Sequence, residues 1–530
     1  MPLLRSIATV GGYTLLSRVF GFLRDILIAR YLGAGVVSDA FFVAFRFPNL
    51  FRRLFAEGAF AAAFVPIFAG KLETEGENQA RAFARQAFTL LGIILIGLLA
   101  IMEIIMPWAM LVMAPGFDAI PGKMELATEL SRIAFPYLLF ISLVSLQSGV
   151  LNALGHFAAA AAAPVLLNLT LIAALLGFAS VGETPGHALA WGVSLAGVIQ
   201  FLWLAHHCRK AGMSITPVRP RITQDVKTLG ARILPVVLGS SLYQINLLIG
   251  TILASMVADG AVSWLYYGDR ITQLPLGVIG VAVGTVLLPV LSRDLRAGRE
   301  VEATQQQNRA IEFALLLTLP SAAALAVIAW PIVVVLFERG AFTPADSAAT
   351  AAAMTAFALG LPAHVLVKVL APGFFAREDT KTPVKIAAVA LAANVVLNLV
   401  LMGPYGHLGI AAASSIAGWL NVVLLAIALR RRGHLSLDDR LVSRAPRILI
   451  AALGMGGAVL ALDQGLLAPL TSDWHGGLLA NIIALTALIL SGMALYGGAC
   501  LALKVSSPAE LKATLRRRSA KPKDQDQDEA

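Results

Sequence analysis

Long apolar segments recur along this 530-residue chain and constrain its fold more than any other feature. Residues 88–113 and 480–503 are two of them. Each is longer than the about 20 residues that a helix needs to cross the hydrocarbon core of a bilayer. Charged residues make up only 14% of the chain, against roughly 25% in soluble domains. The sequence therefore predicts an all-α polytopic membrane protein.

The apolar segments divide into about fourteen predicted transmembrane helices. Their centres lie near residues 20, 50, 100, 142, 168, 197, 242, 277, 323, 361, 393, 419, 455 and 490. Lys and Arg are concentrated in the loops after helices two, six, eight, ten and twelve, and only Lys123 and Arg339 fall in the alternate loops. Because basic loops stay on the cytoplasmic side, we expect both termini in the cytoplasm.

The same loop pattern accounts for the formal net charge of +10, so no nucleic-acid partner is expected. Residues 1–16 lack a small-residue cleavage pattern and are expected to lead into a retained first helix. Cys208 and Cys500 are too few and too far apart for a disulfide framework or a zinc site. The polar residues 505–530 are expected to form a disordered cytoplasmic tail.

Two weak internal similarities indicate a duplicated unit. Residues 35–50 resemble residues 260–275, and residues 149–151 resemble residues 373–375, at offsets of 225 and 224. Chance similarity among Leu-, Val- and Gly-rich helices is the alternative. Two parallel copies of six helices would place a cavity between two lobes. The predicted boundaries are 1–210 for an N-terminal lobe, 211–432 for a C-terminal lobe, and 433–504 for helices thirteen and fourteen.

Polar and ionisable side chains cluster inside several predicted helices. They are Ser17, Arg18, Arg24 and Asp25 in helix one; Asp39, Arg46, Asn49, Arg52, Arg53 and Glu57 in helix two; Asp269 and Arg270 in helix eight; and Lys368 in helix ten. At 100° per residue, the helix-one members share an arc of about 120°. Most helix-two members lie on or beside one stripe, although Pro48 makes this projection approximate.

Two simpler interpretations cover part of this set. Arg52 and Arg53 could reach the headgroups from a helix end, and Arg53 could pair with Glu57 at i, i+4. Neither covers all the groups, since each central charge costs about 2.5–3.5 kcal/mol on insertion scales. A water-filled cavity lined by the shared faces explains both the number of charges and their clustering.

The sign of these charges indicates the occupant of such a cavity. Seven basic side chains outnumber four acidic ones in the set. Arginine suits bidentate binding of phosphate or carboxylate. The pattern favours an amphiphile whose anionic head travels through the cavity while its tail stays in lipid.

Other functional classes find less support in the sequence. The chain has no HExxH, Walker A or GxSxG motif, so we expect no enzyme activity, no catalytic residues, no metal and no cofactor. Transport energy would come from an ion gradient, the membrane potential or substrate flux, and the coupling ion stays open. A cation-coupled drug exporter, which would need excess acid, and a scaffold protein of the division machinery remain as alternatives.

Four segments carry a family resemblance. They are SRVFGFLRD (17–25), SDAFFVAFRFPNLFRRLFAEGAF (38–60), YYGDRITQLPLGV (266–278) and APGFFAREDTKTPVK (371–385). They closely resemble the MurJ/MviN family of lipid II flippases, which belongs to the multidrug/oligosaccharidyl-lipid/polysaccharide exporter superfamily. The similarity extends from helix one through helix twelve.

The resemblance implies two six-helix lobes around a central cavity, with helices thirteen and fourteen forming a groove for the undecaprenyl tail. It implies movement of lipid II from the cytoplasmic to the periplasmic leaflet of the bacterial inner membrane by alternating access. A flippase for another polyprenyl-pyrophosphate oligosaccharide is the alternative. Membrane lipids and cell-wall synthesis or division proteins are further candidate partners. The substrate-binding residues of the family match Arg18, Arg24, Asp39, Asn49, Arg52 and Arg270.

Overall fold

The computed structural model describes residues 2–52, 60–180, 182–467, 470 and 474–505, and this part of the chain is helical without β-strands. Its α-helices are α1 Pro2–Leu32, α2 Val36–Phe51, α3 Phe60–Thr74, α4 Glu77–Met113, α5 Lys123–Ala134, α6 Tyr137–Ala153, α7 Phe157–Phe178, α8 Pro185–Lys210, α9 Gln224–Ser255, α10 Ala261–Arg296, α11 Glu300–Val327, α12 Ala329–Phe337, α13 Pro344–Phe375, α14 Lys381–Arg431, α15 Asp439–Leu462 and α16 Leu478–Ala502.

Helix α14 consists of two helical segments joined at a kink. Gly406 has φ 57° and ψ −135°, outside the helical region. Glycine reaches positive φ without a Cβ clash, and Pro404 lies just before it inside the helix. The kink therefore separates the two spans that the sequence predicts around residues 393 and 419.

Membrane-spanning character is evident in nine helical segments of the described residues, which are long and apolar enough to cross a bilayer. This confirms the predicted all-α membrane protein. Helices α1, α2 and α10, which contain most of the clustered charges, are not among the nine. All fourteen predicted centres lie in helical residues, while fourteen membrane crossings remain a prediction.

The exposed surface of α4 is itself apolar. Ile94, Ile101, Ile104 and Val112 are more than half exposed, and so is Trp108. Such a surface would be costly in water but is neutral against lipid tails. The helix therefore has the surface that contact with a bilayer requires.

The chain forms two compact units. The first comprises Met1–Tyr267, Leu336–Thr350 and Val395–Ile410, and the second comprises Gly268–Val335, Ala351–Asn394 and Ala411–Ala530. The lobe boundaries at residues 210 and 432 remain a prediction. The tail predicted for residues 505–530 lies outside the described residues, apart from Val505.

In the first unit, α1 packs along α7, α7 packs along α8, and α2 packs against α5. Stacked aromatic rings join α3 to α4, where Phe64 lies 5.4 Å from Phe83 between ring centroids. These contacts hold the helices that carry the polar side chains.

In the second unit, a carboxylate joins α11 to α15. Glu312 on α11 is buried. Arg444 donates to it at 2.7 Å and Arg440 at 3.1 Å, and Arg309 forms a further ion pair with it. Beyond this cluster, Ile448 and Cys500 pack together in a hydrophobic contact between α15 and α16.

Replacing this shared carboxylate should loosen α15 and α16. We expect Glu312→Ala to cost about 2 kcal/mol, a typical value for a hydrogen bond to a charged group, and to leave three like charges close together. Circular dichroism of the detergent-solubilised protein should show a lower midpoint of thermal unfolding. Glu302→Ala, an exposed position on the same helix, is the matched control. Equal midpoints for the two variants would contradict the prediction.

Candidate functional site

The guanidinium of Arg24 is the centre of a buried polar cluster in the first unit. Arg24 is 6% exposed and Asp25 is fully buried. Arg24 Nη2 donates to Asp25 Oδ1 at 2.6 Å and Nε donates to the same oxygen at 3.0 Å. Arg24 Nη1 donates to Asn168 Oδ1 on α7 at 2.9 Å. The charge is therefore paired, and the guanidinium plane is fixed by two helices.

Two further contacts complete the cluster. The Tyr266 hydroxyl on α10 donates to Asp25 Oδ1 at 3.2 Å, and its ring stacks on Phe42 of α2 at 3.9 Å between centroids. Asn168 Nδ2 donates to the backbone carbonyl of Ser17 at 3.0 Å. Sequence reasoning missed Asn168 and Tyr266. The available signal for Asn168 was a single amide in the otherwise apolar stretch of α7.

The remaining candidates on α1 and α2 are more accessible. Arg18 is exposed, and Arg46, Asn49 and Arg52 are half-buried. Arg52 Nε donates to Asn49 Oδ1 at 2.7 Å, which fixes the two side chains that the sequence placed beside each other. Arg46 Nη1 donates to the carbonyl of Leu247 at 3.5 Å. The predicted pair of Arg53 and Glu57 lies outside the described residues.

The other three candidates belong to the second unit. Asp269 and Arg270 are half-buried, and Lys368 is exposed. Gln273, one turn further along α10, donates to Asp269. A Cβ built on Gly280 would lie 3.0 Å from Lys368 Cδ. The glycine therefore leaves room for the lysine side chain to cross α10.

Asp39 is as completely buried as Asp25. Its carboxylate is fully buried at the first turn of α2. It accepts hydrogen bonds from the backbone N–H groups of Gly260 and Ser263, each at 2.8 Å, and from the Ser263 hydroxyl at 2.5 Å. These donors lie at the start of α10. A carboxylate is stabilised there by unpaired N–H groups and by the helix dipole, so Asp39 caps a helix distant in the sequence.

Lys123, the first residue of α5, completes the charge balance. It is 1% exposed. Its Nζ lies 2.8 Å from Asp39 Oδ2, 2.6 Å from Asp259 Oδ1 and 4.4 Å from the centre of the Phe117 ring. The sequence placed Lys123 in a loop and gave it no partner. The loops on the predicted periplasmic side contain almost no other Lys or Arg. That isolation was the signal that Lys123 pairs with an acidic side chain nearby.

Comparison with known proteins covers almost the whole chain. The family model described as "Lipid II flippase MurJ" matches residues 28–472. The chain is 45% identical over 523 residues to a probable lipid II flippase MurJ of Rhizobium meliloti (strain 1021), covering 98% of this chain and 97% of that protein. A probable lipid II flippase MurJ of Rhizobium tropici is 46% identical over 503 residues, covering 94% of this chain and 93% of that protein.

The chain belongs to the lipid II flippase MurJ family. This confirms the family indicated by residues 17–25 and 38–60, and it confirms a transporter rather than an enzyme. A solved lipid II flippase MurJ in an inward closed conformation has the same fold, with a TM-score of 0.74 at 24% identity over 92% of this chain and 97% of that one.

An inward-facing multidrug resistance MATE transporter of the MOP superfamily also shares the fold. Its TM-score is 0.66 at 17% identity, over 81% of this chain and 98% of that chain. The fold by itself therefore does not separate the MurJ family from drug exporters, and the particular polar residues have to do so.

The Asp39–Lys123 pair generates a stability prediction. Lys123→Met removes one partner of a buried ion pair, which costs about 3–5 kcal/mol because the other charge stays buried. Asp39→Asn combined with Lys123→Met should cost less than the sum of the single changes, since a neutral amide needs no counter-charge. The free energy of unfolding from SDS titration of the purified protein measures all three variants.

Asp259→Asn is the control for this cycle. The Asp259 side chain is 45% exposed, so water replaces the lost contact and the cost should stay below about 1 kcal/mol. Additive effects of the Asp39 and Lys123 substitutions would show that the pair does not couple the two helices.

Proposed function

We propose that this protein moves lipid II from the cytoplasmic to the periplasmic leaflet of the bacterial inner membrane, with both termini in the cytoplasm. The 45% identity over nearly the full length of a probable lipid II flippase supports this function. The basic loops after predicted helices two, six, eight, ten and twelve support the orientation.

Arg18, Arg24 and Arg52 of the first unit bind the pyrophosphate-sugar head, and Arg270 of α10 is a further candidate for headgroup binding. The observation that carries this proposal is the Arg24 cluster, in which Asp25, Asn168 and Tyr266 orient a guanidinium inside an apolar helix bundle. Arginine offers two parallel donors to a phosphate. In this arrangement, Arg18 and Arg52 make the first contacts because they are more exposed, and Arg24 adds a preoriented donor.

The Asp39 cluster acts at the opposite end of the transport cycle. By the predicted topology, Lys123 and residues 257–261 lie on the periplasmic side. The hydrogen bonds of Asp39 hold α2, α5 and the start of α10 together there. In alternating access these contacts are made in the inward-open state and separate when the headgroup leaves, as water replaces the lost donors. Asp39 thus serves as a gate rather than as a contact to the headgroup.

Transport in this scheme needs no cofactor. Lipid flux, an ion gradient or the membrane potential supplies the energy. Cell-wall synthesis or division proteins are candidate partners because they would supply or use lipid II. A groove formed by α15 and α16 would bind the undecaprenyl tail of lipid II.

Transport by proteoliposomes with labelled lipid II tests the headgroup site. We expect Arg18→Ala, Arg24→Ala, Arg52→Ala and Arg270→Ala each to lower the flipping rate roughly 10- to 100-fold, because a charge-assisted hydrogen bond contributes about 1.5–3 kcal/mol. Arg209→Gln, an exposed position in the loop predicted to be cytoplasmic, should transport normally. Normal transport by all four alanine variants would contradict the proposal.

The same vesicles separate the substrate and energy questions. Labelled lipid II is compared with a polyprenyl-pyrophosphate oligosaccharide that lacks the peptide, and the sodium gradient and membrane potential are varied independently. Faster transport of the second lipid would assign the protein to another polysaccharide pathway.

Thiol labelling tests the gate. Ser38 is fully buried, and its Oγ lies 2.9 Å from Ser263 Oγ. In a Cys208→Ser, Cys500→Ser background, a Ser38→Cys thiol should react slowly with a membrane-impermeant maleimide added from the periplasmic side. Lys123→Met should raise the rate about tenfold, the effect of a 1.4 kcal/mol shift toward the open state. An unchanged rate would show that the cluster is structural only.

A further inference from the structure

A third polar cluster lies in the first unit. It contains Glu129 of α5, Glu183 in the loop before α8, and His187 in the first turn of α8. One ligand-type atom from each residue lies within 4.8 Å of the other two. Acidic side chains on a surface often approach each other without a ligand, so this proximity alone has little weight.

The histidine supplies an independent observation. His187 is 8% exposed, and its Nε2 is buried and makes no hydrogen bond. That nitrogen lies 3.4 Å from Glu129 Oε1, without the alignment of a hydrogen bond. A buried ring nitrogen without a partner costs free energy, and this one is directed into the acidic cluster.

The other ring nitrogen is held by the helix cap. Thr184 is the N-cap residue of α8, and its Oγ1 lies 2.9 Å from His187 Nδ1. If Nδ1–H donates to this hydroxyl, the lone pair resides on Nε2. Metal-binding histidines are oriented in this way by a second partner, which fixes both the tautomer and the ring.

The surroundings explain why a cation would be favoured. The three residues lie at a cavity of about 970 Å³ whose other lining is mainly apolar, including Leu166, Trp191 and Leu195. Two carboxylates beside such a wall repel each other more strongly than in water.

We propose that Glu129, Glu183 and His187 bind one divalent transition-metal ion, with Zn²⁺ the best match to one imidazole and two carboxylates. Ligand atoms bound at 2.0–2.2 Å in a tetrahedral site are about 3.3–3.6 Å apart. The separation of Glu129 Oε1 and His187 Nε2 already meets this value. The two exposed glutamates can rotate to complete the set, and water takes the fourth position. The ion would attach the loop before α8 to α5.

Calorimetric titration of the full-length protein with Zn²⁺ alone tests the site. The affinity tag is removed, and the work is done in a His206→Gln, His207→Gln background because that neighbouring pair could also bind zinc. We expect one ion per chain. His187→Gln, Glu129→Gln and Glu183→Gln should each weaken binding more than tenfold, and Thr184→Val about tenfold through the second partner. Glu125→Gln, an exposed acid one turn earlier on α5, should match the parent.

A spectroscopic readout identifies the ligand directly. Bound Cu²⁺ should show nitrogen coupling from one imidazole, and His187→Gln should remove it. The absence of Zn²⁺ binding by the parent protein, or equal affinities for Glu183→Gln and Glu125→Gln, would overturn the proposal. Glu183 is exposed, so its variant keeps the test decisive if His187→Gln fails to fold.

Discussion

The buried ion pair of Asp39 and Lys123 is the interaction on which the first unit most depends. A single ionised group removed from water costs several kcal/mol even after relaxation. Here the carboxylate receives four donors and the ammonium contacts two carboxylates. The donors come from the starts of α5 and α10, so the charges can be buried only when three helix ends meet. Because the two charges are stable in the interior only when they are paired, they require α2, α5 and α10 to pack with these ends together.

The buried charge of Arg24 is also paired, but its counter-charge lies on the same helix. Its counter-charge is the adjacent residue, Asp25, and the longer-range partners Asn168 and Tyr266 are neutral. The ion pair therefore remains intact when α1 moves relative to α7 or α10, whereas the Asp39 pair requires α2 and α5 to stay together. A group that moves with its own counter-charge suits a binding site. One whose counter-charge lies on another helix suits a gate.

Much of the fold could be predicted because its signals are local in the sequence. Apolar length located most of the predicted helix centres, and helical periodicity placed Ser17, Arg18, Arg24 and Asp25 on one face. The partners of these groups could not be predicted in the same way. Asn168 lies 144 residues from Arg24, and Lys123 lies 84 residues from Asp39. Their pairing depends on which helices pack together, and periodicity within one helix contains no information about that. The same limit hid the cluster around His187.

The pairing also bears on the argument from net charge. Asp25 and Asp39 are the only acidic residues in α1 and α2, and each is engaged by a basic partner within the first unit. The Asp39 charge is balanced by Lys123, which the sequence-based charge count did not include. Lys123 also contacts Asp259, a second acid that this count did not include. The Asp39 cluster therefore adds one base and one acid to the count, and the excess of basic over acidic side chains that favours an anionic headgroup is unchanged.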